Sequence, residues 1–166
     1  MQSPNRRIER SNSNINFLNT NYSLKNDLTE YEAKNIFLEG TGSLVLDRVN
    51  KNAYMAESNR SNVSLASKWS QLRGYDLVHF KSYIDKKPTY HTNVLMFITN
   101  KFAGICFDSI CDSKYLLSNI EKTHKILYLS LEQIKNFSGN AIVVRNTNNE
   151  AKFLISSSGL KALDLI

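Results

Sequence analysis

The sequence has only two cysteines in 166 residues, Cys106 and Cys111, too few for a disulfide framework. That scarcity suits a reduced, cytoplasmic protein. Long apolar runs are also lacking. The longest, within 93–99 and 101–107, are about six residues, against the roughly 20 needed to cross a bilayer. A membrane partner is therefore not expected. The first residues, Met1-Gln-Ser-Pro-Asn-Arg-Arg7, are charged but have no apolar stretch behind them, so no secretory signal is recognisable. The formal charge is +6, yet Lys and Arg are scattered, and the one cluster is Arg6, Arg7 and Arg10. No basic, aromatic-studded strand face of the kind that binds single strands is present, which argues against a nucleic-acid partner. Asn is abundant but rarely runs in tracts, so a prion-like segment is not expected.

The chain does have enough apolar residue, 42%, to bury the core of one domain. It is arranged as a repeat. The segments 44–58, 94–108 and 142–156 each hold two β-branched or aromatic runs around a polar, Asn-containing turn, and each is expected to be a β-hairpin. Their starts lie 50 and 48 residues apart, a spacing typical of repeat architectures.

The segments after the hairpins repeat too. Val63, Leu65, Ala66 and Trp69 share one helical face within 61–72, with Gly74 as a stop. A strand is expected over 76–83. Tyr115, Leu116 and Ile120 mark a helix over 113–122, followed by a strand at 125–129. Leu160 and Leu163 begin a helix over 158–164. Ahead of the first hairpin, 12–22 is expected to be a helix and 22–27 a closing strand. Thr29-Glu-Tyr-Glu32 has the form of a capping box. The chain thus reads as the tail of one strand-strand-helix-strand unit, two whole units and most of a fourth.

In a radial array of such units, the residues before each first strand come from equivalent corners. Here they are Phe37-Leu-Glu-Gly-Thr-Gly-Ser43, Tyr90-His-Thr-Asn93 and Phe137-Ser-Gly-Asn140. Glu39, His91, Asn93 and Asn140 are their polar members. Gly40, Gly42 and Gly139 permit tight turns or close approach. A carboxylate, an imidazole and two amides at one repeated corner make a polar pocket. Each also has a plain structural reading: Glu39 as a solvated turn residue, His91 as a satisfied structural histidine, and the two asparagines as ordinary residues that open strands.

The same corners carry a family resemblance. Phe37-Leu-Glu-Gly-Thr-Gly-Ser-Leu-Val-Leu-Asp-Arg48 and Tyr90-His-Thr-Asn-Val94 resemble amidinotransferase-type hydrolases associated with citrulline utilisation. These are relatives of arginine deiminase and of dimethylarginine-cleaving enzymes. Met1–Arg7 and Leu131–Asn140 resemble the interior of that family as well. The resemblance implies a pentein-type α/β propeller of five ββαβ units, of which this chain would hold about three. It further implies a single incomplete domain over 1–166, with units at about 1–36, 37–89, 90–136 and 137–166.

The resemblance also implies a reaction. A cysteine thiolate attacks the guanidinium carbon of an arginine-like substrate. An amine leaves, and the covalent thiouronium intermediate is resolved without metal or organic cofactor. Glu39 matches the family's guanidinium-holding acid and His91 its general acid/base. Asn93 stands where deiminases carry an aspartate, so substrate choice would differ. Asn140 lies in a matching motif with no assigned role. The family's nucleophile follows a Gly-rich stretch that is not in this sequence, and neither Cys106, inside a hairpin strand, nor Cys111, at a helix entrance, replaces it. A further substrate-binding acid belongs to a strand upstream of Pro4. The resemblance leaves three expectations: a truncated hydrolase inactive alone, a half-enzyme completed by a partner chain through open sheet edges or by self-association, or a non-enzymatic guanidine-binding or interaction module.

Overall fold

Strands form where β-branched and aromatic residues flank a polar turn, and helices where apolar residues recur on one face. The computed structural model describes residues 1–163. After a 3₁₀ turn at Pro4–Arg10, helix α1 spans Asn12–Asn19, and a second 3₁₀ turn spans Thr29–Lys34. Helix α2 (Gly40–Ser43) leads into strands β1 (Val45–Asp47) and β2 (Asn52–Ala56), helix α3 (Val63–Arg73) and strand β3 (Asp76–Phe80). A small hairpin, β4 (Tyr83–Ile84) and β5 (Lys87–Pro88), and a 3₁₀ turn at Thr92–Val94 come next. Strands β6 (Met96–Ile98) and β7 (Phe102–Ile105), a 3₁₀ turn at Phe107–Ser109, helix α4 (Ser113–Ile120) and strand β8 (Lys125–Tyr128) come after them. Helix α5 (Leu131–Lys135), strands β9 (Ala141–Arg145) and β10 (Ala151–Ile155), and helix α6 (Ser157–Leu163) complete the described chain.

Two sheets share one plan. In β1-β2-β3 the first pair is antiparallel, with Leu46 opposite Ala53, and the second is parallel, with Tyr54 opposite Val78. In β6-β7-β8, Phe97 lies opposite Gly104 and Ala103 beside Ile126 in the same antiparallel-then-parallel order. A parallel pair needs a crossover, and α3 and α4 supply it. The pair β9-β10 is antiparallel, with Val143 opposite Phe153.

Local chemistry sets the ends of α3. The Asn62 side chain accepts from the Leu65 N–H at 3.0 Å, and Gly74 closes the helix at φ 65°, a left-handed cap that disfavours a Cβ. The inner face of α3 buries Leu65 and Ala66; that of α4 buries Leu116 and Ile120. The main core joins Tyr54, Val78 and Phe80 of the first sheet to Met96, Phe97, Ile105, Leu116 and Ile120 of the second. At Gly104 an added Cβ would lie 2.3 Å from the Phe97 ring, so glycine leaves the room that ring occupies. Strand β6 packs against both β1 and β9, which makes the first strands of the three hairpins neighbours.

Some expectations change. Residues 22–27 form no strand; they are exposed, and no neighbouring edge is there to pair with their backbone. Thr29 does not cap its turn. The Asp27 carboxylate instead accepts the Thr29 N–H at 2.8 Å, so the turn opens on an Asx-type bond. Cys106 lies one residue past β7 rather than inside it. Helix α5 has no periodic signal in the sequence; it is made by a reciprocal capping box between Ser130 and Gln133. Asp164, the last residue of the expected terminal helix, lies outside the described residues. No helix among the described residues is long and apolar enough to cross a membrane.

Candidate active site

Gly40, at φ 54°, turns the chain sharply after Glu39 and starts α2. Gly42 then passes directly beneath His91: a Cβ there would lie 2.8 Å from the ring Nδ1. This close approach lets the His91 Nε2 meet Glu39 Oε2 at 2.8 Å. The other carboxylate oxygen of Glu39 accepts the Gln2 backbone N–H at 2.7 Å. Arg60 holds its Nη1 3.9 Å from Glu39 Oε2, stacks its guanidinium over Tyr90 at 5.3 Å and donates to the Gln2 side chain at 3.1 Å. Tyr90 also lies against the His91 ring, with centroids 5.0 Å apart.

A cavity of about 1050 Å³ opens over this pair. Glu39, His91, Asn93 and Asn140 all line it, with Gly40, Gly42 and Tyr90 between them. The three corners expected to converge therefore do so, because β6 sits between β1 and β9. Gly139 lets the third corner in: an added Cβ would come 2.3 Å from the Val94 carbonyl oxygen.

The electrostatics of the pair are opposed. Burial pushes the Glu39 carboxyl up, but the Gln2 N–H, His91 and Arg60 together outweigh it and leave it below its usual range. Burial pushes His91 down; Glu39 raises it by hydrogen bond and charge, and Arg60 and Arg6 lower it, with a net depression. A neutral imidazole bonded to a carboxylate is suited to accept and pass on a proton.

Neither cysteine lines the cavity. Cys106 is buried in the main core, and burial raises its thiol above the ordinary value despite hydrogen bonds from Ser109 and Asp108. That is the wrong direction for a nucleophile. Cys111 is exposed. Among the described residues no three His, Cys, Asp or Glu side chains converge to hold a metal. Arg60 and the Gln2 N–H escaped sequence reasoning. Arg60 sits in an irregular loop with no periodic signal, and a backbone donor has none in principle.

The sequence matches the family described as N,N dimethylarginine dimethylhydrolase, eukaryotic, over residues 1–165. The chain belongs to that family. No curated protein matches it. Among solved structures, the N-terminal domain of ArgZ bound to substrate, an arginine dihydrolase from the Ornithine-Ammonia Cycle in Cyanobacteria, is similar with a TM-score of 0.64 and 13% identity. The same domain covalently bonded to a reaction intermediate gives 0.64 at 12% identity. In both, the similarity covers 98% of this chain and 58% of the other. A product-bound form gives 0.51 at 12% identity over 77% of this chain and 46% of that one. These similarities establish the mixed α/β fold of the ArgZ domain. The chain spans less than two thirds of the length of the ArgZ domain structures it matches.

Proposed function

We propose that this chain carries the guanidinium-recognising and proton-handling part of a hydrolase acting on arginine-like C–N bonds, and that these 166 residues bind without turning over. The Glu39–His91 hydrogen bond at the floor of a cavity lined by all four corner residues supports this most directly. A guanidinium is planar and cationic, and carboxylates hold it by charge-assisted bonds. A carboxylate has about four lone-pair sites. His91 and Gln2 occupy two in Glu39, so acceptor capacity remains for a ligand N–H. His91 carries the proton to the leaving amine. Asn93 and Asn140 supply neutral acceptors and donors at the other corners. An amide at Asn93, in place of a charge, favours a ligand whose cation needs only one full countercharge.

The chemistry also needs a thiolate, and removing a nucleophile from such a set costs on the order of a millionfold in rate. Cys106 and Cys111 lie away from the cavity. We read the two like sheets and the β9-β10 pair as units of a five-unit propeller, within one domain over 1–166 that has units at about 1–36, 37–89, 90–136 and 137–166. The relevant cysteine then belongs to a segment outside these residues.

Calorimetry with arginine, agmatine and methylated arginines is expected to show heat that Glu39→Gln abolishes, while a citrulline-release assay stays at background for the parent chain, Cys106→Ser and Cys111→Ser alike. Absence of heat with every guanidine would reject the reading. A cysteine-dependent turnover would reject the assignment of the nucleophile elsewhere. Completion by a partner chain is a second reading, favoured by the outer edge of β10, which pairs with no strand among the described residues. Co-expression with a cysteine-bearing segment should then restore citrulline release.

A further inference from the structure

The ionisable groups of the site stand on three separate pieces of chain, and one buried hydroxyl network ties all three together. Ser43 is fully buried at the end of α2. Its Oγ accepts the Glu39 N–H at 2.8 Å and the Ser61 hydroxyl at 2.8 Å, and it donates to the Arg60 carbonyl at 2.9 Å. A hydroxyl offers one donor and two acceptor sites, so Ser43 is used to capacity. Its backbone carbonyl accepts the Thr92 hydroxyl, and Thr92 in turn accepts the Ala56 N–H at 2.8 Å. Thr92 is also fully buried and directly succeeds His91 in the chain; Ser61 is 1% exposed. The backbones of Glu39 and Arg60 therefore hang from one serine side chain, and His91 is tied to the same serine through its neighbour.

We infer that Ser43 and Thr92 are positioning residues that set the Glu39–His91 spacing, and through it the proton affinity of His91. Gly42 packed beneath the His91 ring and the Ser58 hydroxyl donating to the Tyr90 carbonyl also restrain these loops, but the Ser43 network joins the Glu39 backbone to the residue after His91. Glu39 lies between a single bridge at Leu38–Ser61 and the left-handed Gly40, and its carbonyl accepts the Gly42 N–H at 3.1 Å, so beyond these short local ties its backbone is held by Ser43. His91 lies in an extended residue between the small β4-β5 hairpin and a three-residue turn. A dyad across two such loops is only as exact as the buried bonds between them. The inference rests on Glu39 and His91 being the guanidinium-holding acid and the proton carrier, and extends that reading to the residues beneath them.

The test is the pH titration of the His91 ring, followed by NMR and assigned with His91→Asn. The titratable and charged groups facing His91 are Glu39, Arg60, Arg6 and the Tyr90 ring, and Glu39 raises its proton affinity. In the parent chain Glu39→Gln should lower the His91 midpoint. In Thr92→Val, which keeps the shape and removes the hydroxyl, the same change should move it less than half as far. Thr92→Ser, which restores the hydroxyl, should recover the full shift. A purely structural role would lower thermal stability in Thr92→Val and leave the Glu39-dependent shift intact, and that result would overturn the inference. If Thr92→Val does not fold, Ser61→Ala removes one donor to Ser43 and is scored by the same shift. A parent chain in which Glu39→Gln leaves His91 unmoved would instead sink the Glu39–His91 pairing itself, a separable failure.

Discussion

Proton affinity ties the site to the stability of the fold. His91 is depressed below the ordinary histidine value of 6.5. As pH falls through 6.5 the unfolded chain takes up a proton that the folded chain refuses. Its contribution is thus complete above 6.5 and is lost as pH drops toward the folded value. Glu39, held below 4.5, acts in the same direction at lower pH, since its contribution is present above 4.5 and is lost as the carboxylate protonates. Thermal melts should therefore show a falling midpoint on acidification from neutrality, and His91→Asn should flatten the upper part of that profile. A second residue-scale expectation concerns Gly139. A methyl 2.3 Å from the Val94 carbonyl forces the backbone apart, so Gly139→Ala should cost about 1–3 kcal/mol, read by chemical denaturation. At this scale the sequence is generous with polar corners and silent on their partners. Glu39, His91, Asn93 and Asn140 are visible because they recur at one position of a repeat. Arg60 and the Gln2 N–H are not, because their place depends on where distant loops meet.

Elements are legible where packing repeats a period and obscure where the backbone departs from it. The three large hairpins announce themselves by paired apolar, β-branched or aromatic runs around polar turns, and α3 and α4 by apolar spacing. The β4-β5 hairpin turns through Asp85 and Lys86, both with positive φ and neither of them glycine or asparagine, so no ordinary turn signal marks it. The expected strand at 22–27 fails for the opposite reason: residues with tolerable strand propensity have no edge to join. Two substitutions separate core from cap. Leu116→Ala empties a fully buried site on α4 and should cost about 2–5 kcal/mol. Gly74→Ala places a Cβ on a left-handed residue with open space around it, so only the backbone penalty applies, about 1–2 kcal/mol. Urea denaturation of the two variants should rank them in that order.

Across the whole molecule, the first two hairpins are each flanked by a parallel third strand, whereas β10 shows an unpaired outer edge among the described residues, with Phe153 42% and Leu154 51% exposed. Unpaired apolar edges recruit other strands. Sedimentation velocity should reveal concentration-dependent association that Leu154→Lys weakens; a parent chain that stays monomeric at high concentration would count against it. The hairpin geometry has another consequence. Each first strand runs from a corner that lines the cavity to a turn that does not, at 48–51, 99–101 and 146–149. The cavity and the hairpin turns therefore lie at opposite ends of the same strands. A fluorophore, affinity handle or inserted peptide at these turns would report on the protein or carry cargo without entering that cavity.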